Sequence, residues 1–213
     1  MRGRPQALQA TVYQIMAGRA MNRIFQTVAA AMLLTLAACG ATPAQEPPLF
    51  GARIGGPFTL TDQNGAAKSD TDFAGKWRIV YFGYTFCPDI CPNDMLKLGQ
   101  AMKLLDKSDP RVAAKIAPIF VSVDPERDTP AVVKQFVEQF HPRFTGLTGS
   151  LDAITKMAKD YAVAFRKEPS GDGYLVGHTQ IAYLMDAEGK PITSLPLEKD
   201  AAAIADAVKH WVR

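Results

Sequence analysis

The 213-residue sequence predicts an α/β fold, a mixed central sheet with helices on both faces. Three observations carry that expectation. Short apolar runs alternate with helical stretches of roughly ten to fifteen residues, as crossover units require. The last two strand-like runs are separated by only a few residues, so they should pair antiparallel. Two cysteines, Cys87 and Cys91, fall at the junction between a strong strand and a helix.

The elements follow in chain order. Phe58–Asp62 reads as an opening strand, with Asn64-Gly65 as a turn signal. Trp77–Gly83 is rich in β-branched and aromatic residues and reads as a buried strand, with Trp77, Tyr81 and Phe82 in the core. Pro92 opens a helical pattern in which Met95, Leu98, Met102 and Leu105 recur at spacings of three and four. Asn93 and Asp94 suit its first turn, and Pro110 lies beyond its end. Ile116–Val123 is a second buried strand. Thr129 caps the next helix with Pro130 at its first position, and Val132, Val133, Phe136, Val137 and Phe140 form its apolar face. A short helix near Leu151–Tyr161 precedes strands near Ala162–Arg166 and Thr179–Met185. Asp186–Gly189 turns the chain into a last strand at Pro191–Leu195, and Ala201–Trp211 closes as a helix. A mixed sheet whose key turn carries cysteines between a strand and a helix is the thioredoxin-like layout.

Hydrophobic content of 47% and charged content of 21% exclude bulk disorder. The formal charge of +3 is concentrated at one end: residues 1–38 hold Arg2, Arg4, Arg19 and Arg23 and no acid. The remainder has 20 basic and 21 acidic residues, a net of −1, so nothing points to nucleic acid as a partner. Ile24–Ala38 is apolar and ends in Leu36-Ala37-Ala38-Cys39, which reads as a secretory signal and resembles the bacterial lipobox. The expected organisation is a signal segment over 1–38, a lipidated Cys39 with a proline-rich tether over 39–57, and a domain over 58–213. Met21 makes a better start for the signal than Met1. An uncleaved, short membrane anchor is the alternative. Either arrangement puts the domain in a bacterial periplasm or cell envelope, membrane-anchored, where a disulfide persists.

The pair Cys87-Pro-Asp-Ile-Cys91 sits where a helix start lowers thiol pKa values, and an exposed thiolate can attack a disulfide or bind a soft metal. The spacing permits a Cys87–Cys91 disulfide and equally lets both sulfurs grip one cation. Two thiolates are an incomplete shell for zinc; Cu(I) prefers thiolates and accepts imidazole as a third ligand. Only three histidines exist. His210, near the chain's end, reads as a surface residue and His141, at a helix end, as a capping one. His178 is expected at the start of a strand facing the cysteine turn, and is the candidate third ligand. Asp89 reads as a turn residue. Asp124-Pro125 and Asp128-Thr129 read as a strand end and a helix cap, with a carboxylate role at the site as the alternative.

Three segments, Tyr84-Thr-Phe-Cys-Pro-Asp-Ile-Cys-Pro92, Val121-Ser-Val-Asp-Pro-Glu-Arg-Asp-Thr-Pro130 and Tyr174-Leu-Val-Gly-His-Thr179, resemble the Sco/SenC family of copper-binding cytochrome c oxidase assembly proteins. The resemblance implies a thioredoxin-like fold, copper held by Cys87, Cys91 and His178, and a membrane-anchored domain facing away from the cytoplasm. It also implies the binuclear copper centre of oxidase subunit II, or another copper or thiol acceptor, as partner. Gly177 departs from the pattern, since many members carry an acidic residue beside the histidine.

Two functions are therefore expected. The first is a copper metallochaperone carrying Cu(I), with Cu(II) as a second candidate state. The alternative is a thiol–disulfide oxidoreductase with Cys87 attacking and Cys91 resolving. A peroxidase is disfavoured because Thr85 lies two residues before Cys87, where peroxiredoxin-type sites place threonine three before. A purely structural disulfide would close too short a loop to stabilise much.

Overall fold

The computed structural model describes residues 45–212. Cys39, the signal segment and the first residues of the expected tether lie outside them. The described chain forms the predicted mixed sheet, with seven strands. They run β1 (Thr59–Asp62), β2 (Ala67–Ser69), β3 (Trp77–Gly83), β4 (Ile116–Ser122), β5 (Thr145–Thr148), then β8 (Ala182–Met185) and β9 (Pro191–Ser194). Their order across the sheet is β2-β1-β5-β4-β3-β8-β9. The parallel centre, β3 beside β4 beside β5, is made by helical crossovers, and β8–β9 is the antiparallel hairpin expected at the end. A separate two-stranded ribbon, β6 (Phe165–Ser170) with β7 (Gly173–His178), stands outside that sheet.

The helices are α1 (Ile90–Ser108), α2 (Pro110–Lys115), α3 (Pro130–Val137), α4 (Leu151–Asp160) and α5 (Ala201–Trp211). On α1 the apolar stripe Met95, Leu98, Met102 and Leu105 is wholly buried, and each such side chain contributes about 1.5–3 kcal/mol on leaving water. Tyr81, Phe82 and Phe120 from the parallel strands are equally buried. Trp77 is half-buried at the edge of the same core.

Several expectations change. The helix after the cysteines begins at Ile90, not at Pro92, so Cys91 lies inside its first turn. Pro92 is tolerated there because the first N–H groups of a helix have no intrahelical acceptor. Pro110 lies beyond the end of that helix at Ser108, as expected, but it also starts α2, capped by the Asp109 carboxylate accepting from the Val112 N–H at 3.2 Å. The expected strand at Ala162–Arg166 begins only at Phe165 and continues to Ser170. His178 ends a strand instead of starting one, and the following strand begins at Ala182. The described part of the expected tether is docked: the Leu49 N–H donates to the Ile192 carbonyl at 3.1 Å and the Gly55 N–H to that of Asp160 at 2.8 Å.

Candidate metal centre

Strand β3 delivers the chain to the site at Gly83. A side chain at Gly83 would begin 3.2 Å from the Cys91 sulfur, so glycine lets that thiol lie against the strand end. The cysteine turn is then pinned at Thr85. Its N–H and hydroxyl both donate to the Asp128 carboxylate, at 3.0 and 2.6 Å. Ser122 donates to the same carboxylate at 2.6 Å. Asp128 is fully buried, which raises its pKa against the lowering effect of these donors. The Asp124–Asp128 segment thus acts structurally, and what it holds in place is the cysteine turn.

The two thiols are free and unlike one another. Cys91 is fully buried, and burial pushes its thiol far above the ordinary range despite a backbone hydrogen bond involving Tyr84. Cys87 is half-buried. Burial alone would raise it too, but the N–H groups of Cys91 and Asp89, the Cys91 thiol and the Ile90 N–H bring it below its ordinary value. The Cys91 N–H reaches the Cys87 sulfur at 3.4 Å.

His178 meets this pair from β7. Its Nε2 lies 3.2 Å from the Cys91 sulfur, and its Nδ1 lies 3.1 Å from the Thr179 carbonyl. A carbonyl only accepts, so Nδ1 carries the proton and Nε2 turns a lone pair towards the thiol. Burial holds the imidazole pKa below its ordinary value, opposed by the Thr179 contact and the nearby Asp94 charge. The rings of Tyr84 and Tyr81 stand edge-on to it, at 6.1 and 6.5 Å. Asp94 is buried one helical turn beyond Cys91, accepting from Tyr81 Oη at 3.0 Å and Gln180 Nε2 at 2.8 Å. It ties the helix bearing Cys91 to the segment behind His178, although its sequence position suggested only a first-turn residue.

A second tie also escaped the sequence reading. Arg127 donates from Nε to the buried Asp124 at 2.5 Å and from Nη1 to the Tyr174 carbonyl at 3.0 Å. Its guanidinium lies 3.8 Å over the Tyr174 ring and 5.0 Å from that of Phe86. The ribbon carrying His178 is thereby fastened to the loop before α3 and to the residue before Cys87.

Cys87, His178, Tyr84 and Ile90 line a cleft of about 300 Å³, and the buried Cys91 touches one of them, His178. A metal held between a thiolate and an imidazole keeps the two donors about 3.5–3.8 Å apart. The Cys91–His178 contact falls a few tenths of an ångström inside that. Among the described residues no three His, Cys, Asp or Glu side chains form a closed metal cage; two of the three expected donors touch, and Cys87 lines the cleft beside His178. The donor set fits a soft monovalent ion better than a four-ligand structural metal. The other two histidines are elsewhere. His141 is buried against Asp106 at 2.9 Å and accepts from the Arg143 N–H, while exposed His210 stacks edge-on with Trp211.

Known proteins resemble this chain in sequence and fold. The SCO1/SenC family model matches residues 46–213. The mitochondrial SCO1 homolog 1 of Arabidopsis thaliana is 40% identical over 171 residues, 79% of this chain and 50% of that protein. The structure of Bradyrhizobium japonicum ScoI with copper bound is 40% identical, covering 74% of this chain and 99% of that one, with a TM-score of 0.68. BsSco, described as a Sco-family cytochrome c oxidase assembly protein with a disulfide switch, is 27% identical over 78% of this chain and 95% of that one, at a TM-score of 0.62. The chain spans about half the length of the first curated relatives it matches. With its thioredoxin-like sheet, its cysteine turn and a family match running through the whole described region, the chain belongs to the SCO1/SenC family.

Proposed function

We propose that this chain is a copper metallochaperone that holds Cu(I) through Cys87, Cys91 and His178 and hands it to an acceptor during cytochrome c oxidase assembly. The observation that carries the reading is the direct approach of the buried Cys91 sulfur to a lone-pair-bearing His178 nitrogen, with a second, low-pKa thiol in the same cleft. Each protein donor is a soft or borderline base, and Cu(I) is their natural cargo. Delivery runs by ligand exchange. Cys91 is sealed in the core, so an incoming acceptor thiolate replaces Cys87 first. Phe86, Ile90 and Leu175, all exposed, surround that opening and offer the acceptor an apolar rim. The acceptor of this reading is the binuclear copper site of oxidase subunit II. Lipidation at Cys39 would hold the domain at the membrane, in the periplasm or cell envelope.

The thiol pair supports a second reading, thiol–disulfide exchange. The depressed, accessible Cys87 is suited to attack and the raised, buried Cys91 to resolve the mixed disulfide. Reduction of an acceptor's cysteines before copper transfer makes the two roles compatible.

The test is anaerobic Cu(I) titration of the reduced chain against a competing chelator, beside Cys87→Ser, Cys91→Ser and His178→Ala. One copper per chain, weakened in all three variants, is expected. Binding indifferent to His178 would transfer the assignment to the exchange reaction.

A further inference from the structure

The ribbon that carries His178 also carries a carboxylate with no part in the site so far. Glu168 lies on β6, and the register pairs Arg166 with Gly177 and Glu168 with Leu175. Glu168 is thus the diagonal neighbour of Gly177 on one face of the ribbon, within reach of a long side chain. A β-carbon at position 177 would stand 2.7 Å from Glu168 Oε1 and 3.2 Å from its carboxyl carbon. The carboxylate occupies the space that a side chain next to His178 would fill. It reaches there only because residue 177 is glycine, and it lines the same cleft as Cys87 and His178.

Two carboxylates border that cleft, and they differ. Asp89 accepts from Asn93 Nδ2 at 2.7 Å at the start of α1. Among the described residues Glu168 is held only by Arg166, whose Nε donates to Oε1 at 2.8 Å. Arg166 is 81% exposed, and an ion pair so open to solvent is worth little, so the carboxylate is readily released.

The charge balance decides what a carboxylate there is good for. Cu(I) with two thiolates already leaves one net negative charge, and a third anion would be repelled. Cu(II) with two thiolates is neutral, so the same anion is attracted. Cu(II) also favours four donors that include nitrogen and oxygen, which the three softer ligands do not complete.

We propose that Glu168 is a fourth donor selective for oxidation state, joining Cys87, Cys91 and His178 on Cu(II) and standing off from Cu(I). The inference rests on the copper reading of the site. The chain would then hold both oxidation states with one set of residues, Glu168 reaching over Gly177 for one of them.

The experiment titrates the reduced full chain separately with Cu(I) and Cu(II), each against a competing chelator without oxygen. The thiolate-to-copper absorption band and the electron paramagnetic resonance spectrum are recorded for the Cu(II) form. E168Q should lose about 10–100-fold in Cu(II) affinity with an altered resonance spectrum, and stay within about twofold of wild type for Cu(I). G177A leaves Glu168 present but displaces its carboxylate, and should shift Cu(II) binding in the same direction. The double variant E168Q/G177D returns a carboxylate to the same space and should recover Cu(II) affinity. R166Q frees Glu168 and should leave Cu(II) binding as tight as wild type or tighter. Wild-type Cu(II) affinity and spectrum in E168Q would overturn the proposal, as would an R166Q loss equal to that of E168Q. Failure of the underlying reading looks different: His178→Ala would then leave Cu(I) binding unchanged.

Discussion

Arg127→Ala tests how the His178 ribbon is held. The substitution removes a charge-assisted hydrogen bond to Asp124, a hydrogen bond to the Tyr174 carbonyl and a guanidinium stacked 3.8 Å over the Tyr174 ring. Asp124 is fully buried and would keep a single side-chain donor, Tyr174 Oη at 2.9 Å. Stripping the partner from a buried ion pair costs about 3–5 kcal/mol. Arg127 is itself 26% exposed and its Nη2 has no acceptor, so the low end applies. The lost stacking adds about 0.5–1 kcal/mol, for a total of about 3.5–4 kcal/mol. With a urea slope of about 2 kcal/mol per molar, the unfolding midpoint should fall by about 2 M. Arg127→Lys keeps the charge but not the planar fork, and should recover about half of the loss. Amide exchange should accelerate through Phe165–His178 more than through β3 or β4, and Cu(I) affinity should move towards that of His178→Ala. A loss below about 1 kcal/mol, or faster exchange spread evenly over the sheet, would refute the idea that this contact fastens the ribbon.

Three further expectations concern the thiols and the packing. With the reduced chain, alkylation mapped by mass spectrometry should modify Cys87 first, its rate levelling off below the ordinary thiol pKa, while Cys91 stays unreacted up to pH 9; equal labelling would contradict the assigned asymmetry. Copper binding displaces the protons that remain on the ligands, so Cu(I) affinity should rise with pH. Cys87 and His178 have depressed values and Cys91 a raised one, so above the Cys87 value only the Cys91 proton is displaced, giving about tenfold per pH unit in a chelator competition, and a slope of two there would show Cys87 to be protonated as well. Gly146→Ala places a methyl 2.3 Å from Val133 Cγ1 and 3.1 Å from Val137 Cγ1. It should cost about 1–3 kcal/mol in urea unfolding, part of it returned by adding Val133→Ala, and a neutral single variant would rule out the close approach of α3 to β5.

The elements that were legible in the sequence are those with a dense local signal. Trp77–Gly83, Thr129-Pro130 and Ala201–Trp211 fall where strand composition, a capping pair and helical periodicity put them. The elements that were not legible have weak local signals for identifiable reasons. β5 is four residues long and contains Gly146, which is there because α3 packs against it. β6 reads Phe-Arg-Lys-Glu-Pro-Ser, and a strand with no fully buried position on either face has no apolar alternation to betray it. Pro92 misled because proline is favoured at a first helical position, yet it is equally harmless at the third. At the site, the two cysteines and His178 were visible as rare residue types. Asp94 bonds Gln180 across 86 residues and Arg127 bonds Tyr174 across 47, and no local pattern encodes such pairs.

The early start of α1 has a chemical consequence. Had the helix begun at Pro92, both thiols would lie in the turn, equally exposed and equally free to leave. Starting at Ile90, it draws Cys91 into the first turn and under Gly83, where burial raises its pKa and its sulfur meets His178. Cys87 stays in the turn, where backbone N–H groups stabilise its thiolate. In the proposed copper site the buried thiol is therefore the fixed donor and the accessible one the exchangeable donor. A carrier needs that division, since a site with two fixed donors would retain its metal and one with two loose donors would not hold it. The same division gives a disulfide exchanger its attacking and resolving sulfurs. The two chemistries differ only in what meets Cys87: a metal ion makes His178 essential, whereas a partner disulfide leaves it a bystander.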